Sequence, residues 1–251
     1  MRLHRNMAQE RSSGSSMYAD ATTPVVFIVD NDPSVREALE SLIHGKGWRS
    51  LAFARAMEFL DYPRVTGACC LLLEVDLPDL NGLELQQRVS DRGDMAVIFI
   101  TGDTGVQTIV RAMKAGALEY LTKPLRSEVL LSAISFALER SQAVLSREAG
   151  ARTVRDSYAS LSGREREVME LVASGWLNKQ IGAALRLSEI TVKVHRSNMM
   201  RKMKAVSLPD LVMKASTLGL KNIPMPNGSY FRSLERYADT RDHLPRAHAS
   251  T

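Results

Sequence analysis

The chain has almost no cysteine, no long apolar run and no glycine-rich phosphate loop. Its two cysteines, Cys69 and Cys70, are adjacent. Neighbours on an extended strand face opposite ways, so the pair supplies neither a disulfide framework nor a sulfur metal site and reads as core filling. Apolar runs such as ACCLLL at Ala68–Leu73 fall far short of the roughly 20 residues a helix needs to cross a bilayer. The start MRLHRNMAQERSSGSS lacks a hydrophobic export segment. A cytoplasmic protein with no membrane partner is expected. After the first apolar run stands DNDPS, Asp30–Ser34, where a nucleotide-dependent enzyme would carry glycines, so no enzymatic activity is expected.

What is present suffices for two modest cores, with 251 residues of which 45% are apolar. The net charge of +5 conceals an asymmetry. Pro24–Arg140 holds 16 Asp/Glu against 12 Lys/Arg, a balance of −4, whereas Tyr158–Asn222 holds 5 against 11, a balance of +6. A polyanion partner therefore belongs to the second half.

Residues 1–23 are Ser-rich, polar and aperiodic and read as disordered, with Met7 or Met17 as alternative starts. From Pro24 short apolar runs alternate with amphipathic segments. VVFIV is followed by a helix from Pro33, a weak strand at Trp48–Phe53 and a helix through Phe59. CCLLLE, a helix from Gly82, AVIFI, a helix from Gly105, LEYL and a long helix from Ser127 complete the series. Five strands alternating with five helices predict an α/β doubly wound, flavodoxin-like parallel sheet over 24–140, with ligands at the carboxyl ends of the strands. Those ends carry Asp30, Asn31, Glu74, Thr101 and Lys123.

Residues 141–157 are expected to act as a linker, since Arg147–Ser157 is charged and includes Gly150. Over 158–222 a small four-helix domain is predicted. Ser162 and Glu165 form a capping box and Gly175 ends that helix, with Trp176 and Leu177 packing inward. Asn178 is predicted to cap the next helix, whose apolar face is Ile181, Ala184 and Leu185, and Ser188 to cap the one after. On that third helix Val192, Met199 and Met203 make a buried stripe, and Lys193, Val194, Ser197 and Arg201 lie opposite. Such a slim cationic helix suits the major groove, with donors for base edges and phosphates and an apolar atom for the thymine methyl. Asn178 and Lys179, at a helix start, are placed to donate to a phosphate, and Thr191 joins the same DNA-binding set. His195 is expected as a packed, hydrogen-bonded imidazole and Arg196 as a surface contact. Ser207 caps a fourth helix through Leu218, and 223–251 reads as a disordered tail with a short helix at Phe231–Tyr237.

Two resemblances follow. The stretch LSGREREVMELVASGWLNKQIGAALRLSEITVKVHRSNMMRKMKAVSLPDLV resembles the helix-turn-helix domain of LuxR-type regulators. The strand-end residues, with ITG at Ile100–Gly102, AMKAGALEYLTKP at Ala112–Pro124 and LPDLNG at Leu77–Gly82, resemble the receiver domain of two-component response regulators. Together they imply a response regulator of the NarL/FixJ type. The implied partners are double-stranded DNA, a second copy of the chain, a sensor histidine kinase and RNA polymerase. Thr101 and Tyr120 correspond to that family's switch hydroxyl and switch aromatic, although plain packing also accounts for Tyr120.

One departure stands out. In the family an acceptor aspartate lies four residues before the proline of the third loop, and two acidic residues after the first strand help hold Mg²⁺. Here the acceptor place is Glu74, counted from Pro78, and the second acidic place is Asn31; Asp76 and Asp32 are out of register. An extra methylene moves the carboxylate on the order of 1 Å, enough to misplace a nucleophile. The loss of a carboxylate at Asn31 leaves Asp30 as a weakened Mg²⁺ site. A pocket that works without phosphorylation is expected, with Glu74 reaching toward Lys123 and Thr101 as a partial stand-in for phosphoaspartate. A relic pocket and a conventional kinase-activated regulator are the alternatives.

Overall fold

The computed structural model describes residues 23–220. The expectations for the polar start, the tail and the helix at Phe231–Tyr237 fall outside the described residues. The chain divides into two compact units, the first ending at Glu148 and the second beginning at Ala149.

The first unit follows the alternating pattern. Its strands are β1 (Val25–Val29), β2 (Arg49–Phe53), β3 (Cys69–Leu73), β4 (Met95–Thr101) and β5 (Glu119–Thr122), interleaved with α1 (Pro33–His44), α2 (Ala56–Leu60), α3 (Gly82–Arg88) and α4 (Val106–Lys114), and followed by α5 (Ser127–Ala159). All pairings are parallel, in the order β2-β1-β3-β4-β5. β1 and β3 are buried along their whole length. Helices cover both faces of the sheet, which is why these strands read as continuous apolar runs rather than as alternation. Phe27, Leu73 and Phe99 pack with Phe59, Leu85 and Ala112 of α2, α3 and α4. Ile28, Leu72 and Ile98 pack on the other face with Leu39 and Ile43 of α1 and Leu130 and Ile134 of α5. Cys69 belongs to the first cluster and Cys70 to the second, as strand alternation requires. Burial pushes the Cys69 thiol up to about 11 and the Cys70 thiol higher still, so neither is a reactive thiolate.

Helix α5 is 33 residues long, with an 18-residue window of mean hydropathy 1.2. Its apolar residues Leu130, Ile134, Ala137 and Leu138 are buried against the sheet, whereas Val129 and Phe136 are exposed. The segment 141–157, expected as a linker, is helical throughout, and the division between units falls inside it. Its charged residues are compatible with a helix whose exposed side is solvated, and Gly150 is accommodated with no neighbour within 4 Å of a built Cβ.

The second unit contains α6 (Gly163–Ala173), α7 (Asn178–Leu185), α8 (Glu189–Lys202) and α9 (Leu208–Thr217). The Ser162–Glu165 capping box is present, and Gly175 follows α6 with φ +87°. Ser188 accepts from the Thr191 N–H and Ser207 from the Asp210 N–H. Val192, Met199 and Met203 are buried with Val168, Met169, Ile181 and Leu211.

Three expectations are corrected here. Asn178 is the first helical residue rather than the cap: the Leu177 N–H donates to Gln180 Oε1 at 2.8 Å, and Asn178 Oδ1 accepts instead from Arg196 Nη1 at 3.1 Å. Ala184 is exposed, because Leu185 and the buried Ile181 and Gly182 already fill that face. Leu177 is 68% exposed, whereas Trp176 packs against the core as expected.

Candidate functional site

In the first unit the strand register brings the acidic residues together. Val29 pairs with Leu73, so Asp30 and Glu74 leave adjacent strands side by side, at the point where the strand order reverses. Lys123 follows β5, and its N–H donates to the Thr101 carbonyl at 2.9 Å. From there the Lys123 ammonium lies 2.7 Å from Asp30 Oδ2 and 2.7 Å from Glu74 Oε2. The second oxygen of each carboxylate is also engaged. Asp30 Oδ1 accepts from the Asp32 N–H at 2.9 Å, and Glu74 Oε1 from the Val75 N–H at 2.8 Å. Asp30 is fully buried, Glu74 nearly so, and the Lys123 side chain is 25% exposed. Burial alone would lower the lysine's affinity for its proton, but the hydrogen bonds to Asp30 and Glu74 outweigh it and hold its pKa above the usual value.

The other residues singled out from sequence are placed differently. The Asn31 side chain is exposed, and Asp32 caps α1 by accepting from the Ser34 N–H at 2.9 Å. Thr101 is buried, but its hydroxyl accepts from the Asp103 N–H at 3.1 Å. The expected reach of Glu74 toward Thr101 is therefore corrected: the glutamate turns to Lys123 and to its own loop. Tyr120 is half-buried, its ring 5.8 Å from that of Phe99, and its hydroxyl donates to the Asp103 carbonyl at 2.9 Å. Burial, then the charges of Asp103, Glu74 and Asp76, push its hydroxyl up to about 12. Among the described residues no group of three or more His, Cys, Asp or Glu side chains is placed to hold a metal ion.

Two features of the pocket loops were not foreseen. Asp79, within LPDLNG, takes the Ala56 and Met57 N–H groups at 3.1 and 2.9 Å and so caps α2, which a pattern search local to either segment cannot find. Gly82 sits so close to the pocket loop that a Cβ there would lie 2.3 Å from the Glu74 carbonyl oxygen. Glycine is the one residue that fits.

In the second unit α7 closes on Arg186, which is left-handed at φ 56°, and Ser188 then opens α8. This tight turn presents the outer face of α8. Lys193, Val194, Ser197 and Arg201 are all exposed, with Val194 54% accessible, and Lys179 is exposed at the start of α7. Lys193 lies 3.6 Å from Glu189 in a loose surface pair. Thr191 is half-buried and shares a 2.7 Å hydroxyl contact with Ser188. His195 is half-buried, and among the described residues its imidazole has no hydrogen bond, so the bonded imidazole expected from sequence is not found. Ile190, not singled out from sequence, is 75% exposed on the same helix, and its spacing of four from Val194 was the available signal.

Comparison with known proteins places both units. Residues 26–135 match the response regulator receiver domain, and residues 159–215 match the bacterial regulatory proteins of the luxR family. Nodulation protein W of Bradyrhizobium diazoefficiens is 39% identical over 209 residues, covering 82% of this chain and 92% of that protein. Response regulator protein TodT of Pseudomonas putida is 41% identical over 75% of this chain and 83% of its own. Transcriptional regulatory protein FixJ of Azorhizobium caulinodans is 38% identical over 78% and 93%. The solved structure of the response regulator StyR superposes with a TM-score of 0.71 at 37% identity, covering 78% of this chain and 99% of that one. With its receiver sheet and its exposed basic helix, the chain belongs to the FixJ-type response regulators, which join a receiver domain to a LuxR-type DNA-binding domain.

Proposed function

We propose that this regulator controls transcription through α8 in the DNA major groove, and that its receiver acts independently of phosphoryl transfer. The observation that carries the second half is the Lys123 ammonium at 2.7 Å from both Asp30 and Glu74. In phosphoryl transfer a carboxylate attacks in line while a hard cation and a lysine neutralise the charge. Here both buried carboxylates already share the lysine, and each spends its other oxygen on a backbone N–H. Mg²⁺ requires near-octahedral oxygen ligands, and with Asn31 exposed and Asp32 committed to α1 the carboxylates left for it are Asp30 and Glu74, both already paired with the ammonium. These residues fit the ion poorly.

The glutamate is a partial substitute for a phosphoryl group, bringing −1 where phosphoaspartate brings about −1.5 to −2. The conformational bias it supplies is on the order of 1–3 kcal/mol, the usual size of a coupling energy. A homodimer fits the exposed apolar stripe Val106, Val110 and Met113 on α4, and two copies would present two reading helices to half-sites one helical turn apart. Promoter-bound dimers of this kind would then contact RNA polymerase.

The receiver family implies a sensor kinase, so a phosphorylation-activated regulator is the second reading. Incubation of the full-length protein with acetyl phosphate and Mg²⁺, followed by intact-mass measurement, separates the two. Wild type should remain unmodified, while the double variant Asn31→Asp/Glu74→Asp, which restores both the acceptor and the missing carboxylate, should gain about one phosphoryl group. Stoichiometric uptake by the wild type at Glu74 or Asp76 would establish the second reading instead.

A further inference from the structure

The outer face of α8 is not uniformly polar. Taking Val192, which is fully buried, as zero and advancing by the helical period, Ile190 falls at roughly 160°, Ser197 at 140°, Arg201 at 180° and Val194 at 200°. Ile190 and Val194 are thus stacked one turn apart in the middle of the face, opposite the buried stripe, and are 75% and 54% exposed. Neither belongs to the core cluster of the second unit. Lys193 and Arg201 flank them and are exposed, so this apolar strip is set in a cationic surface on a domain with a net positive charge. An apolar pair with Lys193, Ser197 and Arg201 beside it suits a polyanionic surface that also carries apolar groups.

We infer that Ile190 and Val194 form a two-residue ridge that reads thymine C5-methyl groups at two positions of each half-site, while Lys193, Ser197 and Arg201 supply the polar contacts. This rests on the reading of α8 as the DNA-contacting helix. In the major groove the thymine methyl is the only apolar feature on a base edge. A side chain branched at Cβ fits against it with few rotamers to lose. The pair spans one helical turn, about 6 Å along α8, so it meets neighbouring base pairs rather than one. Ile190 is therefore a specificity-determining residue, and binding sites should carry thymines where it lands.

The test uses the full-length protein and a duplex that it selects from a randomised pool. That duplex is resynthesised with deoxyuridine at every thymine, which removes the methyls and keeps the hydrogen-bonding edges. Burying one methyl-sized group is worth about a fourfold change in affinity, so two give roughly fifteenfold for each half-site. Wild type should bind the uracil duplex at least about fifteenfold more weakly. The Ile190→Ala/Val194→Ala variant should bind both duplexes alike, at the wild-type level for uracil, which also demonstrates that it is folded. Ile190→Ala alone alters an exposed side chain and should lose about half of the discrimination on a logarithmic scale. Equal affinity of the wild type for the two duplexes, or full discrimination by either variant, overturns the ridge and leaves the DNA reading standing. Retention of no duplex from the pool removes the DNA reading itself, and this inference with it.

Discussion

Replacing Lys123 by methionine probes the receiver pocket most directly. At 2.7 Å from each carboxylate, the ammonium gains about 6 kcal/mol per contact at an effective dielectric of about 20. Desolvation of three ions consumes several kcal/mol each, so the triad as a whole is close to neutral for stability. Removing only the cation does not return those costs. It leaves Asp30 and Glu74 buried, adjacent and unpaired with any cation, a defect worth about 3–5 kcal/mol. With the Lys123 side chain 25% exposed, water relieves part of this, and about 3 kcal/mol is expected. For a domain of this size that corresponds to a fall in Tm on the order of 10 °C. Thermal unfolding of full-length Lys123→Met, followed by circular dichroism at pH 7, measures it. Adding Glu74→Gln should recover part of the loss, since one of the two charges is gone. A Lys123→Met protein melting within about 1 °C of wild type at pH 7, a difference too small for a lost buried ion pair, would refute the claim that the ammonium holds the pocket together.

Two more outcomes follow from other parts of the chain. Glu165 accepts from Lys202 Nζ and the Ser162 N–H, both at 2.7 Å, and these bonds, the lysine's first, hold its carboxyl below the usual range. Its contribution is therefore complete above its unfolded value of 4.5 and lost as the pH falls through the lower folded value; in Glu165→Ala, urea titrations of the second unit should show less stability at pH 7 and a weaker decline on acidification than in wild type. Because Gly150 lies inside α5 with free space around its Cβ position, Gly150→Ala should stabilise the helix by about 0.5–1 kcal/mol. No change in Tm or in far-ultraviolet ellipticity would mean that this segment is a flexible joint instead.

Much of the fold was legible because both periodicities are strong. VVFIV and CCLLL could only be strands covered on two sides, and Val192, Met199 and Met203 fall on one side of any helix drawn through them. Capping was legible where cap and partner lie three residues apart, as for Ser162 and Glu165. It failed at Asn178, where a competing acceptor, Gln180 Oε1, lies one turn on and Arg196 arrives from another helix. Asp79 capping α2 across 22 residues could not have been found by any local rule.

The sequence by itself determined the two-domain composition and the strand-end residues, Glu74 among them. Helical phase, a property of spacing alone, also placed Lys193, Val194, Ser197 and Arg201 on the outer face of α8, although the exposed Ile190 was missed. What only the tertiary structure decided is where side chains go once several elements meet. The Glu74 carboxylate turns to Lys123 and not to Thr101, the Thr101 hydroxyl is taken by the Asp103 N–H, and the charged stretch after Arg140 continues as helix. The first two are choices among partners of similar chemistry that depend on sheet register and loop path, and no one-dimensional pattern encodes those.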